Sequence, residues 1–481
     1  MLPMTNPPKG THGRFPERGV AVSIRTERHR YRIERKFPGP GSWILGITGL
    51  LFLCGILGTG KIWGGENPEE ELTPRTVLQE AIQEANLQAD PRLIWLKTQF
   101  VIRLSLMGDA ERARQLMNQV FDDSKIEPDG LIHVPDYVAE AAKTAGMVLE
   151  FQKFTKDMVS LVHQRTEARI NKHAGDEVAT ARIRFEEDIQ LGRLYWQGGD
   201  STGLKLTLAQ INHRIQAARW EPGEEFALAA VLLARTGHDD EAMRVLQAYE
   251  SAYPRSAVIT KKSPYLHWMF RATYMAEVAQ AQAEAGHVAQ ARNTLQSALD
   301  RVHSIPVSQL DEVFGNGTSL QSNAFKGIAL AAASVGEASI AKKAQWAIAD
   351  EAYRTSAVDF VIRALAKNED MKGAEELVGR EKCCWSGIAL GLAEKGDWAG
   401  AIQADEAPRS FPKDRKFDGM MSNEQHRSYY FQKLAEARVH SQGSQRAMRW
   451  VREQKERDRI SALLGLVDGL LDRKRIRAGA S

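Results

Sequence analysis

The sequence predicts an all-α chain in which one membrane-spanning helix precedes an array of helix-turn-helix units. Three observations predict this. Residues 43–60, WILGITGLLFLCGILGTG, hold no charged side chain. No later segment shows the sustained period-two alternation of a strand. A glycine is repeatedly followed five residues on by an alanine, at Gly108/Ala113, Gly237/Ala242, Gly286/Ala291, Gly336/Ala341 and Gly396/Ala401.

Composition sets the frame: 481 residues, 43% hydrophobic and 26% charged, is that of a folded protein rather than a disordered one. The formal net charge is +3, but it is unevenly spread. The first 40 residues carry nine Lys/Arg against three Asp/Glu, a net of +6, which leaves about −3 for the rest. A mildly acidic main body is no electrostatic trap for nucleic acid, so none is expected as a partner.

Residues 1–41 form a basic arm with scattered prolines and no sustained apolar period, the pattern of a largely disordered segment. Five of its cations, Arg28, Arg30, Arg32, Arg35 and Lys36, crowd beside the apolar run. Lys and Arg resist translocation, so these residues are the expected topology determinants, placing the N-terminus in the cytoplasm. The same cluster suits contact with anionic lipid headgroups.

Residues 42–60 are the expected transmembrane helix. At 1.5 Å per residue the uncharged run is roughly 27 Å long, close to the ~30 Å hydrocarbon core. Trp43 and Trp63 flank it where indoles anchor at the interface. The spacing from Gly55 to Gly60-Lys61 approaches a phosphate-binding loop. Ile62, however, stands where the metal-binding hydroxyl belongs, and IWGGENP follows in place of a helix. A cleaved signal peptide is disfavoured by the long basic arm and by the lack of an Ala-x-Ala-like site.

Residues 61–73 read as a Gly/Glu linker, and residues 74–303 as the first helical segment. Helix starts are marked by Thr73-Pro74, Asp90-Pro91 and Ser263-Pro264, each a capping side chain before a proline. The Gly/Ala turns have a plain physical basis: glycine ends one helix in a left-handed conformation, and a small residue lets the next helix close against it. Gly198/Gly203 has the same spacing. LAKNEDMKGAEEL (365–377) aligns with LAEKGDWAGAIQA (392–404), with Glu369 in the glycine's place. Residues 304–322 read as an interrupting loop, 323–472 as a second helical segment that is itself broken by 401–421, and 473–481 as a basic tail.

The unit FALAAVLLARTGHDDEAMRVLQAYESAYP, residues 226–254, resembles a tetratricopeptide-like repeat. Gly237, Ala242, Leu246 and Pro254 stand at spacings similar to that family's second helix and exit turn. Ala229, Ala230 and Leu233 depart from its first-helix pattern, and a steady period of about 34 residues is missing. The resemblance implies a right-handed α-solenoid of irregular TPR-like repeats, a scaffold that presents an extended surface to a protein or peptide.

No constellation of catalysis was found. The twelve histidines lack a His-Glu-x-x-His pair, and no Gly-x-Ser-x-Gly elbow occurs. No catalytic residue, metal or cofactor is therefore expected. Cys383 and Cys384 are adjacent, so no ordinary structural disulfide is expected either. The candidate partner-binding residues come from SPYLHWMFRATYM (263–275), where Tyr265, His267, Trp268 and Phe270 crowd onto one helix whose aromatic side chains fill two faces. The functional expectation is a single-pass scaffold of the bacterial inner membrane with its solenoid in the periplasm. The alternative is an envelope hydrolase with an all-helical superhelical domain, which would need a carboxylate of raised pKa in a deep pocket.

Overall fold

A computed structural model describes residues 72–85, 93–124, 134, 136–218, 220, 224–252, 265–308, 310, 317–381, 384–407 and 424–479. The expected arm and span, with Trp43, Trp63, Arg28, Arg30, Arg32, Arg35 and Lys36, lie outside the described residues. Among the described residues no helix is long and apolar enough to cross a membrane.

The described residues form helices and no strand. In chain order these are α1 Pro74–Glu84, α2 Leu93–Leu106, α3 Ala110–Ser124, α4 Asp136–Thr144, α5 Val148–Lys172, α6 Glu177–Gly198 and α7 Ser201–Ala217. Next come α8 Glu224–Arg235, α9 Asp239–Ala252, α10 Tyr265–Glu284, α11 Val288–His303, α12 Gly317–Ser334 and α13 Ala338–Ala347. The last are α14 Glu351–Lys367, α15 Met371–Glu381, α16 Trp385–Lys395, α17 Trp398–Glu406, α18 Glu424–Gln442, α19 Ser444–Arg452 and α20 Glu456–Gly479. Thr73 caps α1 in a capping box with Thr76, and Pro74 is its first residue. Three boundaries differ from the sequence reading. The stretch 304–322 ends inside α12, α17 runs to Glu406 inside 401–421, and α20 continues through the basic tail to Gly479.

The turns follow one design. At Gly237 the backbone is left-handed (φ 82°). Its N–H reaches Ala234 O at 3.0 Å, and the next N–H, of His238, reaches Leu233 O at 2.8 Å, closing α8. The His238 carbonyl then accepts from Ala242 N at 3.0 Å, so one residue both ends a helix and begins the next. The same pair of bonds is made by Asp109, His287, Glu337 and Asp397. Ala113, Ala242, Ala291, Ala341 and Ala401 are all fully buried, because each lies where its helix crosses its neighbour. Glu369 holds the glycine's conformation without being glycine (φ 68°), as the alignment predicted. In the Gly198/Gly203 pair the left-handed residue is Gly199 instead.

Helices alternate between two environments. The even-numbered helices from α2 to α20 each pack on the next even-numbered one, and each odd-numbered helix from α3 to α19 packs across its two chain neighbours. Enclosure on several sides is why α16 buries every residue from Ser386 to Ala393 and α20 buries Ile460 to Val467. The odd-numbered helices bury one stripe, as α3 does with Ala113, Met117, Val120 and Phe121. Glycine allows the tightest crossings. A methyl group on Gly465 of α20 would collide with the Gln432 backbone of α18, and one on Gly469 would lie 2.7 Å from Val439 Cβ.

Helices before and after 304–322 pack directly, α10 and α11 on α12, so the two expected segments belong to one unit, Glu71–Ser481. The packing succession also closes: α20 lies against α1 and α2. Arg103 of α2 is 4% exposed, bonds Asp468 of α20 at 2.5 Å and donates to the Leu464 carbonyl at 3.2 Å. Arg459 of α20 meets Glu84 of α1 at 3.4 Å. Sequence reading gave no sign of this closure. The described cysteine, Cys384, is disulfide-bonded, with its partner outside the described residues; the sequence reading expected no ordinary structural disulfide.

Candidate functional site

A recess of about 530 Å³ lies between α11 and α13. The sequence ASIAKKAQWA explains its wall. Ile340, Ala341, Ala344 and Gln345 turn into the core, and the helical period then leaves Lys342, Lys343 and Trp346 on the outer side. Gln345 fixes that rotation by donating from its buried amide to the Arg354 carbonyl at 2.9 Å. The Trp346 indole is 44% exposed. Its ring carries the Arg380 guanidinium 4.2 Å from the centroid, a contact that favours this orientation of the ring.

The opposite wall is α11, with Leu299, Asp300 and His303. Leu299 is buried and forms the apolar floor. His303 packs on Phe325 at 4.7 Å between ring centroids and uses Nδ1 towards the Leu299 carbonyl at 2.9 Å. Lys342 is held by Glu376 at 3.0 Å, and Lys343 stands exposed at the rim. The recess thus joins an apolar floor and an exposed indole to charges of both signs: Lys342 paired with Glu376, Lys343, and Asp300. The sequence reading missed Trp346. The signal that could have found it is an indole opposite the buried stripe of its own helix.

The residues singled out from the sequence, Tyr265, His267, Trp268 and Phe270, occupy the first two turns of α10, and their side chains lie outside the described residues. Later members of the same two stripes are described. Met269 and Ala272 are buried, and Tyr274 packs edge-on against Tyr249 at 5.6 Å. That end of the cluster is core.

Polar groups gather again between α18 and α20. Glu436, His440 and Asp472 have ligand-type atoms within 4.8 Å of one another. Burial pushes the Glu436 carboxyl above its ordinary range and the His440 imidazole below its own. Elsewhere burial also raises Asp188, against the opposing ion pair with Arg214, and raises Glu80.

Compared with family models, with curated proteins and with solved structures, the chain matches none of them.

Proposed function

We propose that this chain is a membrane-anchored helical-repeat adaptor that holds a protein partner at the bacterial envelope. Its helices form a right-handed α-solenoid of irregular TPR-like pairs, carried on the span at 42–60 with the N-terminal arm in the cytoplasm and the helical unit in the periplasm. The repeated Gly237-type turn and the alternation of enclosed and outer helices support the solenoid reading, since stacking one helix pair on the next is how such arrays bury a continuous core. The uncharged run and its basic flank support the anchor and its orientation.

The observation that carries the adaptor reading is the groove beside Trp346, where a large apolar ring lies under Arg380 and is left open to solvent near Lys343. Its partner is a peptide segment with acidic and apolar side chains. The test is site-specific photo-crosslinking in intact cells. A photoreactive residue at Lys343 should give one discrete protein adduct that Trp346→Ala abolishes, and the same probe at Leu206, another exposed position, should not. Identical adduct patterns at both positions would overturn the assignment.

A further inference from the structure

We propose that Glu436, His440 and Asp472 form a binding site for a divalent transition-metal ion of the zinc class. Glu436 and His440 stand one turn apart on α18, a spacing that sets two donors on one face. Asp472 reaches them from α20 because Gly469 lets that helix approach Val439 closely. His440 Nε2 is 4.0 Å from Asp472 Oδ2, too far for a hydrogen bond.

Two features single out this trio from an ordinary polar crossing. His440 Nε2 is buried and has no hydrogen-bond partner, although Asp472 Oδ2 lies only 4.0 Å away and a Glu436 oxygen belongs to the same cluster. A ring nitrogen in that position lacks a ligand rather than a neighbour. The imidazole plane is also fixed in advance, since Trp398 stacks on it at 4.7 Å with only 12° between the rings. Stacking of this kind limits rotation of the ring, so the nitrogen is held in place.

The donor set chooses the ion. One imidazole and two carboxylates suit zinc and its neighbours, whereas magnesium and calcium take oxygen alone. Zinc-ligand bonds near 2.0–2.2 Å require the three atoms to draw together by about 1 Å, within reach of side-chain rotation. Asp472 is 44% exposed on its side chain, so the site opens to solvent there and leaves room for water as a further ligand.

Positive groups also surround the site. Lys433 donates to Glu436 Oε2 at 2.8 Å, and Arg473 donates to the His440 carbonyl at 3.0 Å. Asp468 adds a further negative charge, itself engaged by Arg103. Lys433 is therefore a competitor for Glu436, and its removal should favour the metal.

The test uses the full chain in detergent, stripped with a chelator and dialysed against zinc chloride, with bound zinc measured by elemental analysis. One zinc per chain is expected. Asp472→Asn changes a solvent-facing carboxylate and should retain the helical signal while weakening zinc affinity about tenfold or more, and His440→Ala should do the same. Lys433→Ala should bind more tightly than the parent. Cobalt in place of zinc should give visible bands that shift in Asp472→Asn. Failure of the folded parent to bind zinc, or undiminished binding in folded Asp472→Asn and His440→Ala, would overturn the site.

Discussion

Arg103 and Asp468 are joined at 2.5 Å although 365 residues separate them. The guanidinium also donates to Gln99 O at 3.0 Å and to Leu464 O at 3.2 Å, so its charge is bonded on several sides within the junction of α2 and α20. Arg103→Ala should cost about 3 kcal/mol or more, because it leaves Asp468 and the Leu464 carbonyl without their donor in a largely buried place. Chemical denaturation of the helical unit reads this directly. A change below about 0.5 kcal/mol would mean that the two ends of the fold do not depend on this pair.

Glu369 offers a gain rather than a loss. Its left-handed backbone is costly for a residue with a Cβ, and its ion pair with Lys395, at 3.0 Å, is solvent-exposed on the Glu369 side and contributes little. Glu369→Gly should raise stability by roughly 0.5–1 kcal/mol. The converse change, Gly237→Ala, should lower it by about 1 kcal/mol.

Ala242 is fully buried where α9 crosses α8. Ala242→Trp should cost about 1–3 kcal/mol or more by overpacking. An unchanged melting temperature would show that this crossing has room that the structure denies.

Glu80 of α1 provides a pH test at the closure. Burial raises its pKa from near 4.5, Glu84 adds to the rise, and Arg452 and Arg459 oppose it. The folded chain thus keeps this proton to higher pH than the unfolded chain does. Its contribution to stability falls as pH climbs from about 4.5 through the raised value, then levels off. Glu80→Gln removes that fall, so the variant should gain on the parent across the same window. Urea titrations over a pH series check the sign, and a gain confined to lower pH would contradict it.

Topology is tested separately. Alkaline phosphatase fused after residue 75 should be active and fused at residue 38 inactive, as expected for a periplasmic helical unit. The reverse pattern would refute the orientation.

Local features were legible in the sequence because local chemistry encodes them. Each turn is written in about six residues, which is why even Glu369 could be placed from an alignment of two short stretches. The burial of Ala113, Ala242, Ala291, Ala341 and Ala401 followed from the same spacing. What escaped depends on distant partners. Nothing near Arg103 names Asp468, and the i, i+4 relation of Glu436 to His440 says nothing about Asp472 until α20 is laid against α18. Trp346 is hidden for the opposite reason: it stands alone on the outer face of α13, with no run of aromatic residues such as the one in α10 to mark it.

The contact between α20 and the first two helices also dictates an order in time. A ribosome delivers α2 hundreds of residues before the strip of α20 that receives it, so Arg103 must wait for nearly the whole chain to be made. Until then α1 and α2 present unmatched apolar surface. Chains halted before Glu456 should therefore be the preferred clients of chaperones and proteases, and completion of the last helix should mark the moment at which the protein becomes resistant to them.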